Sequence, residues 1–243
     1  MSNRFGTRLK KLFLGKKGNL ISLEDPFETM QRLMARCEVT GMLDAGASDG
    51  RISRRLLRRF PQAQAYAFEP NPLYAERLKQ YAAAEPRFHP YFLALSDEKG
   101  HASLNVTASV GSTSLLTPGR RMQELLAEGV AVAKQEEVEL TTIDEWVQAN
   151  GQPAIELMKF DIQGAELKAL RGAVHTLQTS TLLIYAEIWF NAGYEGGALY
   201  GEIDTFLHQY GYVLYDFYKP KYDSKGLLTW ANAIFIHAER VQR

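Results

Sequence analysis

Five short stretches of this chain carry side chains whose type and spacing suit chemistry at a bound ligand. The first is Leu43-Asp-Ala-Gly-Ala-Ser-Asp-Gly50, which closes an apolar run and opens a helical pattern. Glycines at such a turn let a ligand approach the backbone closely, and the first strand-to-helix turn of an α/β sheet is where such folds bind nucleotides. The turn lacks the third glycine of G-x-G-x-x-G, and Arg51 replaces the lysine of a phosphate loop. Acids flank it at Asp44 and Asp49. They would repel a pyrophosphate and suit an uncharged or cationic ligand. The candidate ligand-binding residues of the turn are Asp44, Ala45, Gly46, Ser48, Asp49 and Gly50.

The second stretch is Phe68-Glu-Pro-Asn71, where Glu69, Pro70 and Asn71 end a second apolar run. An acid at the end of strand two is placed to accept hydrogen bonds from both ribose hydroxyls. The third, Ala94-Leu-Ser-Asp97, puts Leu95 and Ser96 where they would edge an adenine, though it also reads as a plain turn. In Met158-Lys-Phe-Asp-Ile-Gln-Gly-Ala-Glu166, Lys159 and Asp161 share one strand face, and charges in an apolar strand are costly unless paired or at a site. Glu156 reads as solvated, and Glu166 as a helix cap or a functional acid. Tyr185-Ala-Glu-Ile-Trp-Phe-Asn191 again ends a strand in an acid, Glu187. Trp189 and Asn191 follow it as residues suited to a flat-faced substrate such as a sugar, or to core packing. Thr113 and Ser114 lie in the least regular stretch, Thr107–Gln135, and complete the candidate substrate residues. S-adenosylmethionine has no phosphate and carries an ammonium and a sulfonium, which fits the acidic turn.

These residues need a frame that gathers strand ends. From Gly41 onward, apolar runs alternate with helical patterns, which predicts a mostly parallel sheet covered on both faces. Single helices are expected over Arg51–Phe60 and Gly164–Leu177, and one edge or bulged strand over Arg87–Leu95, interrupted by Pro90. Tyr212–Tyr218 and Leu228–His237 are joined by too short a segment for a helical crossover, so they must pair antiparallel. The arginines Arg51, Arg54, Arg55 and Arg58 form one solvated helix face rather than a nucleic-acid footprint.

Composition narrows the class. The chain has 243 residues, 28 Lys plus Arg against 28 Asp plus Glu, and one cysteine, Cys37. A balanced charge gives no global pull towards nucleic acid. One cysteine cannot form an internal disulfide or a cysteine-based zinc site, which predicts a cytoplasmic protein. No apolar run approaches the roughly 20 residues that span a bilayer. Residues 1–40 read as a basic helical extension before a domain at 41–243. Phe5, Leu9, Leu12 and Phe13 fall on one face of a basic helix, so residues 1–17 are read either as resting weakly on anionic lipid or as a packed helix with a solvated basic side.

In their order, Leu43–Gly50, Phe68–Asn71, Ala94–Asp97, Leu140-Thr-Thr-Ile-Asp144, Met158–Glu166 and Ala186-Glu187 resemble the FkbM family of S-adenosylmethionine-dependent methyltransferases, from about Gly41 to His237. The resemblance implies an α/β, Rossmann-like class I methyltransferase fold: a seven-stranded, mostly parallel sheet with its last strand antiparallel and helices on both faces. It implies O-methylation, often of sugar hydroxyls, with S-adenosyl-L-methionine as cofactor and a small-molecule or saccharide acceptor. An alcohol acceptor must lose a proton, so Asp161 and Glu187 are the candidate bases. Lys159 is read as orienting Asp161 or, with a lowered pKa, acting itself. Gln163 stands where the family commonly has an acid, and no metal is expected. The alternatives are a lipid or protein acceptor, a non-catalytic cofactor-binding protein, or, by fold alone, a nicotinamide oxidoreductase.

Overall fold

The computed structural model describes residues 24–241. The reading made for residues 1–17 lies outside them. Helix α1 (Pro26–Leu33) is capped by Asp25, whose carboxylate accepts from the Phe27 amide at 3.0 Å. There follow β1 (Gly41–Ala45), α2 (Arg51–Arg59), β2 (Gln64–Phe68), α3 (Ala75–Ala84), β3 (Phe88–Tyr91), β4 (Ala94–Leu95), β5 (Gly100–Thr107), α4 (Arg120–Leu126), β6 (Val132–Thr141), α5 (Ile143–Ala149) and β7 (Leu157–Phe160). The chain continues with α6 (Glu166–Arg171), α7 (Val174–Thr179), β8 (Leu183–Trp189), α8 (Tyr200–His208), β9 (Tyr212–Tyr222) and β10 (Leu228–His237).

Seven strands form the main sheet in the order β3-β2-β1-β7-β8-β10-β9. The pairings from β3 to β8 are parallel, and β10 runs antiparallel between β8 and β9. The expected architecture therefore stands, reversed last strand included. Its two faces carry the two largest cores. Phe27, Met30, Leu56, Leu57 and Leu78 cover one face through α1, α2 and α3. Trp146, Leu167, Leu170, Leu177, Ile203 and Leu207 cover the other through α5 to α8. Burial on both sides explains why every residue of β1 and β7 is buried.

A second sheet, β4-β6-β5, stands beside the first. It corrects the single strand expected over Arg87–Leu95. Pro90 has no amide to donate, β3 ends at Tyr91, and after Phe92 and Leu93 the chain joins β6 instead, with Ala94 opposite Leu140. The helix expected over Gly164–Leu177 is also two helices. A side chain at Gly172 would strike the Ser96 carbonyl, and Asp144 caps the new start by accepting from the His175 and Thr176 amides at 2.8 and 2.9 Å. Thr107–Gln135 contains α4 and the start of β6 rather than only loop.

The arginine face of α2 is partly occupied. Arg55 and Arg59 pair with Asp25, and the Arg55 guanidinium lies 4.0 Å from the centre of the Phe27 ring. Glu156 is not simply solvated, since it accepts from the Thr40 and Gly41 amides at 3.0 and 2.9 Å. Among the described residues no helix is long and apolar enough to cross a membrane.

Candidate active site

The glycine turn leaves β1 and is stapled to the end of β2: the amides of Gly46 and Ala47 both donate to the Phe68 carbonyl, at 2.9 and 3.0 Å. Gly46 has φ +74°, and a Cβ there would collide with the Asp161 carbonyl oxygen. Only glycine lets this turn lie against the end of β7. Ser48, at φ +51°, aims its amide at Glu69, whose Oε2 accepts at 2.7 Å while Oε1 accepts from the Asn71 amide at 2.9 Å. Burial pushes the Glu69 carboxyl above its ordinary range, and those two amide bonds act against the rise. Each Glu69 oxygen keeps a lone pair for a further donor.

Beneath the turn, Lys159 Nζ lies 2.9 Å from Asp44 Oδ1 and donates to the carbonyls of Ala45 and Gly46 at 3.0 and 2.7 Å. The Ser53 hydroxyl donates to Asp44 Oδ2 at 2.6 Å. Both expectations for this pair are corrected. Asp44 supports the turn from below and has its charge matched by Lys159, so it does not face a ligand. Lys159 pairs with Asp44 rather than Asp161. Burial draws the lysine pKa down, but the Asp44, Asp161 and Glu69 carboxylates outweigh it, so the ammonium is held protonated rather than poised as a base.

Above the turn a cavity of about 270 Å³ opens between the two sheets. Ala45 to Asp49, Glu69, Pro70, Asn71, Asp161 and Gln163 line its polar side. Leu93, Ala94, Leu95, Leu104 and Leu115 line an apolar wall. Glu69, Pro70, Asn71, Leu95 and Asp161, named from sequence, thus converge, as do Thr113 and Ser114, while Glu187 does not line the cavity. Gly50 and Ser96 do not line the cavity: Gly50 packs under Leu78, and Ser96 donates to Asp97 Oδ1 at 3.0 Å. The reading missed Leu93, Leu104, Leu115 and Tyr74; the inward alternation of β5 was the available signal for Leu104.

At the far end of the cavity the loop Asp161–Ala165 brings Asp161 beside Glu187 of β8. Gln163, at φ +56°, places its amide between two strand ends. Gln163 Nε2 donates to Asp161 Oδ1 at 2.7 Å and to Glu187 Oε2 at 2.9 Å, and its Oε1 accepts from the Tyr194 hydroxyl at 2.7 Å. Glu166 settles its own role as a loop staple, accepting from the Ile162 and Gly164 amides, each at 2.9 Å. Ser114 donates to the Gln163 carbonyl at 2.8 Å and ties its own segment to the same loop. Glu187 keeps part of its surface open. Even so, burial of its carboxyl, then the Asp161 and Glu166 charges, push it well above the usual carboxylate range.

Trp189 and Asn191, the other candidate substrate residues, sit differently. Trp189 is 2% exposed, packed edge-on to Tyr194 and over Trp230, with Gly193 tight against its ring. The expectation that it offers a face to an acceptor is corrected. Asn191 donates to the Leu228 carbonyl at 2.8 Å and lines a separate, more open hollow with Arg120, Arg121 and Glu195.

An open parallel sheet with a reversed last strand, a glycine turn after β1 and an acid closing β2 defines the Rossmann-like class I methyltransferase fold. Comparison with known proteins takes this to a family. The Methyltransferase FkbM domain model matches residues 44–214, and the chain belongs to that family. It is 32% identical over 162 residues to the 2-O-methyltransferase NoeI of Sinorhizobium fredii, spanning 64% of this chain and 65% of NoeI. It is 26% identical over 174 residues to the methyltransferase sdnD of Sordaria araneosa, spanning 63% of this chain and 67% of sdnD. The match thus covers just under two thirds of NoeI. The crystal structure of a methyltransferase FkbM from Methylobacillus flagellatus shares the fold, with a TM-score of 0.53 and 13% identity over 82% of this chain and 44% of that one.

Proposed function

We propose that this protein is an S-adenosylmethionine-dependent O-methyltransferase acting on a hydroxyl of a saccharide or related small molecule. The observation that carries the reading is the pairing of a nucleoside-type crevice with two carboxylates joined through Gln163 at its end. The likeness to NoeI, whose name states 2-O-methyl transfer, supports an alcohol acceptor.

The residues fit the cofactor. Glu69 presents acceptors beside the turn, suited to two ribose hydroxyls, and Asn71 keeps its Nδ2 donor without a partner among the described residues. The wall of Leu93, Leu95, Leu104 and Leu115 suits a flat base. S-adenosylmethionine, when bound, supplies an electrophilic methyl group on a cationic sulfur.

The chain's own task is then to hold an acceptor oxygen in line and take its proton. Positioning contributes much of the rate in such transfers. Asp161 lines the crevice, and Glu187 stands one amide behind it. Burial, then the Asp161 and Glu166 charges, raise the affinity of Glu187 for a proton, which makes its ionised form a stronger base than an ordinary carboxylate. The proton leaves the acceptor for this carboxylate pair as the oxygen gains the methyl group. Lys159 and Asp44 act through the turn backbone and take no proton.

Methyl transfer from radiolabelled S-adenosylmethionine to a panel of monosaccharides and their oligomers tests this. Transfer that falls on the order of 100-fold or more in Asp161→Asn or Glu187→Gln, with cofactor binding kept, is expected for a general base. Binding without transfer to any saccharide, and transfer to a lipid or protein instead, would overturn the acceptor class.

A further inference from the structure

Gln163 lies in a place where its side chain is fully engaged. Its two amide hydrogens go to two different carboxylates, and its oxygen receives the Tyr194 hydroxyl. That pattern fixes which way the amide points. Turned over, its oxygen would face two carboxylates, and Tyr194 would lose its acceptor there. The backbone is equally determined. Gln163 adopts a left-handed conformation, the amides on either side of it are held by Glu166, and its carbonyl is held by Ser114. A non-glycine residue in that conformation is uncommon and clusters at functional sites. Asp161 and Glu187 come from the ends of neighbouring strands, and two acids this close repel one another unless a donor stands between them.

We infer that Gln163 is the positioning residue of this site: its amide joins Asp161 and Glu187 into one carboxylate pair and fixes which oxygens remain free for the acceptor, an inference that rests on the base role given above. The charged and titratable groups facing the pair are Lys159 from β7, Glu166 from α6, Tyr185 from β8 and Tyr194 from the loop after β8. Asn232 of β10 lies opposite Glu187 in register. None of these spans the two carboxylates as Gln163 does.

The inference is tested on the acceptor-free protein. Carboxyl-13C labels on Asp and Glu give the titration of Asp161 and Glu187, assigned with Asp161→Asn and Glu187→Gln. Gln163→Met keeps the length and loses both donors. Gln163→Glu keeps the shape and replaces the donors with a third acid. Donors to the ionised form lower a carboxyl pKa, so both variants should raise the upper midpoint of the pair by about one pH unit or more. The rising limb of the transfer rate should move to higher pH with it, the rate recovering in alkali. In the wild-type protein, where no substitution is needed, the Gln163 Nε2 protons should shift with the same midpoint as Glu187. Unmoved midpoints in the folded variants, or amide protons indifferent to Glu187, would overturn the role of Gln163. Full transfer by both Asp161→Asn and Glu187→Gln would instead overturn the base reading, and the two failures are told apart because the midpoints are read without an acceptor.

Discussion

The ammonium of Lys159 stands 2.9 Å from the Asp44 carboxylate, with side-chain exposures of 4% and 2%, directly beneath the turn that forms the crevice floor. Because Lys159 also holds the carbonyls of Ala45 and Gly46, this pair links β7, β1 and the turn in one contact. Removing one partner leaves the other charge buried and uncompensated, which costs about 3–5 kcal/mol. Lys159→Met and Asp44→Asn should each lower stability by about that amount in urea unfolding, and the double variant should lose clearly less than the two together. Strictly additive losses would contradict the pairing.

Glu166 predicts a pH dependence of stability. Its carboxyl is fully buried, and burial raises it to about 7, the amides of Ile162 and Gly164 acting against the rise. A carboxyl raised in the folded state favours folding fully at pH below its ordinary value near 4.5 and loses that contribution as pH rises towards 7. The loss is about 3 kcal/mol. Urea midpoints between pH 4.5 and 8 should therefore fall more steeply in the wild-type protein than in Glu166→Gln. Parallel profiles would show that Glu166 does not titrate in this range.

Gly46 and Gly151 make a matched comparison. Both have positive φ, +74° and +83°, but a Cβ at Gly46 strikes the Asp161 carbonyl while one at Gly151 meets nothing within 4 Å. Gly151→Ala should cost only the left-handed penalty, about 1–2 kcal/mol. Gly46→Ala should cost more in the same unfolding assay, because the turn must also move away from the end of β7, and cofactor binding should fall with it. Equal losses in the two variants would contradict the close approach.

The sequence was most informative where the physics is local. A strand, a glycine turn and a helix are contiguous, so the turn around Gly46 and the acid at Glu69 could be placed from spacing. The antiparallel β9–β10 pairing followed from connection length. Long-range partners were harder to read. Lys159 shares a strand face with Asp161, yet its ion pair is with Asp44 on the neighbouring strand, a choice set by register between β1 and β7. Gln163 read only as a missing acid, because nothing local says that a left-handed residue will carry its amide between two strand ends. Trp189 was ambiguous by nature: an aromatic beside polar residues suits a sugar or a core, and the tight approach of Gly193 decided for the core. The apolar wall came largely from the small β4-β6-β5 sheet, whose existence depended on the chain leaving the main sheet after Tyr91.

The proposed function requires the crevice over the glycine turn to bind S-adenosylmethionine through Glu69. Calorimetric titration of the purified protein with S-adenosylmethionine and S-adenosylhomocysteine, with NADH as control, tests it directly. Loss of charge-assisted hydrogen bonds worth about 1.5–3 kcal/mol each predicts a fall in affinity of at least about tenfold in Glu69→Ala. Saturable binding of both ligands by the wild-type protein is expected, with that fall in the variant and no binding of NADH. A folded wild-type protein that binds neither ligand, or a Glu69→Ala variant that binds them as well as the wild type, would contradict it.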